Sequence, residues 1–185
     1  MRITKSLRAD QETITRFLAA LGGASVLLNR SKVARPTYFI FAHTFIREYI
    51  EDGFFKKEEL LIKVLDDGGF SPNEGPIMLM RIDQKKSRDA AELLIKTANA
   101  WRDGDEVARG ELVWAASNYT SIMREHLERL KTRIFPLLEQ TISVDDEHKV
   151  AEGINNIVFE GTLKYDTEKY IKLIESLEEE LSDWN

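Results

Sequence analysis

FFKKEELLIKVLDDGGFSPNEGPIMLMRIDQKKSR, residues Phe54 to Arg88, is the stretch whose reading decides the fold. It reads as the end of one long helix, a glycine turn and the start of the next. Asp66-Asp67-Gly68-Gly69 closes the first helix, because glycine supplies the left-handed conformation that follows a last turn. Ser71 to Pro76 is a short loop, and Pro76 opens the following helix, where its missing N–H costs little. That helix runs from about Pro76 to Trp101, with Ile77, Met80, Leu94 and Ile95 inward.

Working back from this turn, the preceding helix spans about Pro36 to Asp66. Its front, TYFIFAHTFIREYI, is apolar on nearly all sides, as expected of a central buried helix or a dimer face, and the buried reading is preferred. The helix before it runs from about Leu7 to Asn29, with Ile14, Phe17, Leu18, Leu21 and Leu28 on one stripe. Gly22-Gly23 inside that stripe mark a close approach or a break. Working forward, Asp103-Gly104-Asp105 is a turn, and a fourth helix covers about Glu106 to Leu138, with Pro136 closing or kinking it. Two further helices follow, about Asp145 to Val158 and Thr167 to Leu181. The last has Tyr170, Ile171, Ile174, Leu177 and Leu181 as its apolar stripe. No strand alternation and no fixed-period repeat is visible.

The expected fold is therefore all-α. Four long helices on short loops make an up-down-up-down four-helix bundle over residues 1–140, and residues 141–185 form a C-terminal helical extension packed on it.

Composition limits the function. The formal net charge of −6 argues against nucleic acid as a main partner, since phosphate binding needs a basic face. No run of about 18 apolar residues spans a membrane, and the N-terminus lacks a signal-peptide core. The absence of cysteine excludes disulfides, thiolate ligands and a cysteine nucleophile, and fits a cytoplasmic location. No nucleophile elbow, phosphate loop or His-Glu-x-x-His occurs, so no enzyme is expected.

Several phrases occur in order: KKEELLIKVL, GPIMLM, RIDQKKSR and NYTSIMREHLERLKTRIFPLLEQ, with EKYIKLIESLEEEL at the end. Together they resemble the hemerythrin-like (HHE cation-binding) family over roughly Ser6 to Gln140. The resemblance implies a di-iron site in the bundle core. One histidine would come from each of the first and third helices, and a His-x-x-x-Glu pair from each of the second and fourth. Residues four apart lie roughly 40° apart around a helix, so such a pair shares one interior face. Carried onto this chain, the six ligand positions read Gln11, Phe55, Glu59, Gln84, His126 and Leu130. Only Glu59 and His126 remain strong ligands, and a stable iron or zinc site needs three or four.

The resemblance thus implies a degenerate metal site, with no cofactor expected. Glu59 and His126 would form a charge-assisted hydrogen bond flanked by Gln11 and Gln84. The protein would be a non-catalytic binding, sensing or scaffold protein, acting on an unknown small ligand or protein partner, with a homodimer left open. Under the alternative, Glu59 and His126, helped by Gln11, Gln84, Glu58, Asp10 or Asp83, hold one iron for oxygen, nitric oxide or redox sensing. A small-molecule or redox enzyme reusing the cavity ranks last, because no acid-base-nucleophile set is complete. His43 points roughly 160° from Glu59 and is expected outside any shared ligand set. His148, Lys56, Lys57 and the Glu178-Glu179-Glu180 run are expected on the surface.

Overall fold

The computed structural model describes residues 2–164 and 167–185. These residues form six helices, and no strand occurs among them. Helix α1 is Arg2–Leu27. Helix α2 covers 36–67 without interruption, with a π-helical segment, Ile46–Phe54, between two α-helical halves. Helix α3 is Gly75–Arg102. Helix α4 covers 106–141 and contains a second π-helical turn at Leu130–Ile134. Helices α5 and α6 are Val144–Lys164 and Thr167–Ser182.

The boundaries follow local chemistry. Pro36 and Pro76 stand in the first turns of α2 and α3, where no N–H is needed. The Asp105 carboxylate accepts from the Val107 and Ala108 amides and caps α4. After α2 the left-handed residue is Gly69, with φ +89°, rather than Gly68. Pro136 does not end α4. It falls in the first turn of the α-helical segment that resumes after the π-turn, where proline is tolerated.

Helix α3 packs chiefly against α4 and against the first half of α2, while α4 packs on α1. Helices α5 and α6 each contact both α1 and α2, and so cover the seam between those two. The Gly22-Gly23 pair does not break α1. A Cβ on Gly23 would lie 3.0 Å from a Leu181 methyl, so this glycine lets α6 approach closely. On α5, Gly153 does the same for Leu60, at 2.9 Å.

One core runs through the molecule and draws on every helix. The front of α2 is buried: Tyr38, Phe39, Ala42 and Phe45 are inaccessible, although Phe41 is exposed. Phe17 stacks on Phe45 at 4.3 Å between ring centroids, and Phe45 stacks on Tyr49 at 4.8 Å. At the C-terminus, Trp184 packs on Tyr38 at 4.8 Å and on Phe39, so the chain end is part of this aromatic cluster. No helix is long and apolar enough to cross a membrane among the described residues.

Candidate functional site: a buried ion network

The second half of α2 turns one stripe inward: Phe54, Glu58, Leu61 and Leu65, with Phe55 and Ile62 beside it. Glu58 is therefore carried into the core with no exposure, while Glu59, one step round, leaves it. On α3 the inward stripe is Met80, Asp83, Gln84, Ser87 and Ala91. On α4 it is Tyr119, Met123, His126 and Leu130.

These stripes meet at His126, which is 1% exposed. Its Nε2 lies 2.7 Å from Glu58 Oε1, and its Nδ1 lies 3.1 Å from Asp83 Oδ2. A carboxylate at each nitrogen requires both nitrogens to donate, so the ring is held as an imidazolium. Burial alone would lower the His126 pKa, but Glu58 and Asp83 outweigh it and lift it to about 9. Arg129 donates to the same Asp83 oxygen. Burial would raise the Asp83 pKa, yet His126 and Arg129 hold it below the ordinary carboxylate range. The Gln84 amide donates to Glu58 Oε2 at 2.7 Å. Two carboxylates thus face two cations, a balanced group that a low-dielectric core can hold.

The expected Glu59–His126 pair is not formed, and Glu58 takes its place. Glu59 is at the surface, paired with Arg81 at 2.5 Å with both side chains about half exposed. Gln11 does not flank the histidine. Its amide donates to the Leu127 carbonyl at 3.2 Å, just before the π-turn of α4. Phe55 meets His126 edge-on, 5.8 Å between ring centroids, and the Arg88 guanidinium lies over the Phe55 ring, 5.3 Å from its centroid. Leu130 is buried hydrocarbon in the π-turn. Gln84, Phe55 and His126 are thus brought together, whereas Glu59 is not.

Lys57, expected at the surface, is 8% exposed and bonds Asp10 at 2.5 Å. His43 is half-buried, and burial with nearby Arg47 lowers its pKa; His148 is exposed. The Glu178–Glu180 run is only partly solvated, since Glu178 pairs with Arg16 and Glu180 with Arg35.

The donor set does not fit a di-iron group. Both His126 nitrogens face carboxylates, which leaves no lone pair for a metal. Gln84 Oε1 is buried without a hydrogen-bond partner, but a single amide oxygen is a weak ligand for iron. Among the described residues, no three His, Cys, Asp or Glu side chains gather where one cation would be held.

The signal for Glu58 was available in the chain: it lies four residues after Phe54, three before Leu61 and seven before Leu65. The partnership with Asp83 across 43 residues had no such local signal.

Compared with known proteins, the chain matches no family model, no curated protein and no solved structure.

A second feature is a cavity of about 420 Å³ beside the π-helical segment of α2. It is bounded by α1 at Ser6, Ala9 and Asp10, by Glu48 to Lys57 of α2, by Ile157 and Val158 of α5, and by Tyr170 of α6. Tyr49 donates to Asp10 at 3.0 Å, and Tyr170 donates to Glu48 at 2.8 Å. π-Helical segments concentrate at functional sites.

Proposed function

We propose that this chain is a non-catalytic binding or sensing protein, a hemerythrin-like four-helix bundle in which α1–α4 run up-down-up-down. Its former metal centre has become a metal-free ion network. The likeness of the quoted phrases to that family supports the family reading, and the helix order and short connections support the topology. The observation that carries the metal-free reading is His126, with a carboxylate on each ring nitrogen. The imidazolium does the electrostatic work a cation would do, drawing carboxylates from α2 and α3 onto α4. No nucleophile, base and oxyanion donor meet there, so the site holds the helices together without reacting. Binding falls to the cavity beside α2. A cysteine-free chain is compatible with a reducing compartment, and a cytoplasmic location is part of this proposal.

Metal analysis of protein purified without a metal-affinity tag tests this. The expected result is substoichiometric iron, manganese and zinc, with no change in melting temperature on chelation. Near-stoichiometric iron with an oxo-bridge absorption band would overturn it. So would one metal per chain that disappears in His126→Ala.

A further inference from the structure

The cavity beside the π-helical segment has a composition that selects its occupant. Its interior is hydrocarbon and aromatic, with Ala9, Phe54, Ile157 and Tyr49 on the walls. Tyr49 is fixed by stacking on Phe45 and by its edge contact with Tyr170 at 5.5 Å. Among the described residues, four carboxylates line the space, Asp10, Glu48, Asp52 and Glu160, against two ammonium groups, Lys56 and Lys57. Lys57 is neutralised by Asp10 at 2.5 Å. Glu48 is engaged by Lys169 and Tyr170. Among the described residues Asp52 and Glu160 make no hydrogen bond or ion pair, and neither does Lys56 beside them in the lining.

We propose that this cavity binds a small organic cation, an amine or quaternary ammonium on a flat or branched hydrocarbon body. The body lies against Phe54, Tyr49 and Ile157, and the charge sits toward Asp52 and Glu160. The volume is within the range of pockets that enclose small ligands, and mixed apolar walls with a few directed polar groups are their usual construction. Aromatic faces beside an acidic rim favour a cation through ring quadrupoles and charge together. An anion would face Asp52 and Glu160 against Lys56 alone among the described residues, and a chain of net charge −6. The inference rests on the reading of the chain as a binding protein, and it adds the class of ligand.

The test is NMR titration of the full chain with benzyltrimethylammonium, benzyl alcohol and benzoate at constant ionic strength. Metal content is measured on the same sample. Saturable amide shifts are expected with the cation, centred on residues 48–57 and 157–158. Benzyl alcohol is expected to bind at least threefold more weakly, and benzoate not to saturate. Ala9→Trp fills the cavity from an exposed position of α1, and should weaken the cation at least tenfold while leaving the thermal transition in place. Asp52→Asn with Glu160→Gln should weaken it about threefold and remove the preference over benzyl alcohol. Benzoate binding as tightly as the cation, unchanged binding in folded Ala9→Trp, or no saturable shift with any probe would overturn the proposal. Bound iron with intact cation binding would overturn only the metal-free reading. Iron-free protein that ignores the cation would overturn only the assignment of the cavity.

Discussion

At the scale of the residue, the adjacent pair Glu58 and Glu59 shows how little chemistry separates a core charge from a surface one. Both are glutamates, one helical step apart, yet one sits on His126 and the other on Arg81. Glu58→Gln leaves a buried imidazolium with half its compensation, so a loss of about 3–5 kcal/mol is expected in urea denaturation. Glu59→Gln removes an exposed pair and should cost less than about 1 kcal/mol. Equal losses would reverse the assignment. The pH dependence has a definite sign. The folded His126 pKa, about 9, stands above its ordinary 6.5. The network's contribution is therefore complete below pH 6.5 and lost as pH rises through 9, a decline of roughly 3 kcal/mol. At the acid end Asp83, whose pKa is depressed from 3.8, contributes above that value and stops contributing as pH falls through its folded pKa. Stability measured across pH 4 to 10 should fall on the alkaline side, and His126→Leu should flatten that fall.

At the scale of the element, helix existence was legible and the pairing of one helix's buried groups with another's was not. The glycine turn at Gly68-Gly69, the prolines at 36 and 76 and the Asp105 cap are local signals, and each stands where its chemistry requires. Asp105→Ala should cost about 1 kcal/mol, read as a lower urea midpoint at unchanged slope. The two π-helical segments have no comparable signature. They add residues to a turn, so a ligand pattern counted at four-residue spacing loses its register beyond them. No π-turn separates Phe55 from Glu59, which share one α-helical segment; there the buried stripe simply passes through Glu58, three residues on, instead. The glycine pair of α1 separates two effects. A Cβ on Gly22 meets only ordinary contacts at 3.5 Å, so Gly22→Ala should stabilise by about 0.5–1 kcal/mol. Gly23 has Leu181 at 3.0 Å, so Gly23→Val should force α6 outward and speed amide exchange in Thr167–Ser182.

At the scale of the whole molecule, α5 and α6 belong to the same core as the four long helices. Val150, Ile154, Tyr170, Ile174, Leu177 and Trp184 are buried within it. Arg16–Glu178 and Arg35–Glu180 tie α6 at the surface, but exposed pairs of this kind contribute little, so the buried contacts decide. Trp184→Ala should therefore lower stability by about 3 kcal/mol although it is the penultimate residue, because it exposes Tyr38 and Phe39. Unfolding should remain one transition by fluorescence and by circular dichroism. A separate early transition would mean that the last two helices fold as a unit of their own.

The sequence by itself determined that the chain is helical, where most helices begin and end, and that hydrocarbon stands at Phe55 and Leu130. Those outcomes depend on periodicity, capping and composition, which act within a few residues. Only the tertiary structure decided that His126 lies between Glu58 and Asp83, that Lys57 is buried against Asp10, and that α5 and α6 close the α1–α2 seam. Each of these depends on the rotation of one helix against another. That rotation is set by packing over distant residues and altered by the π-helical turns, so no local count of residues contains it.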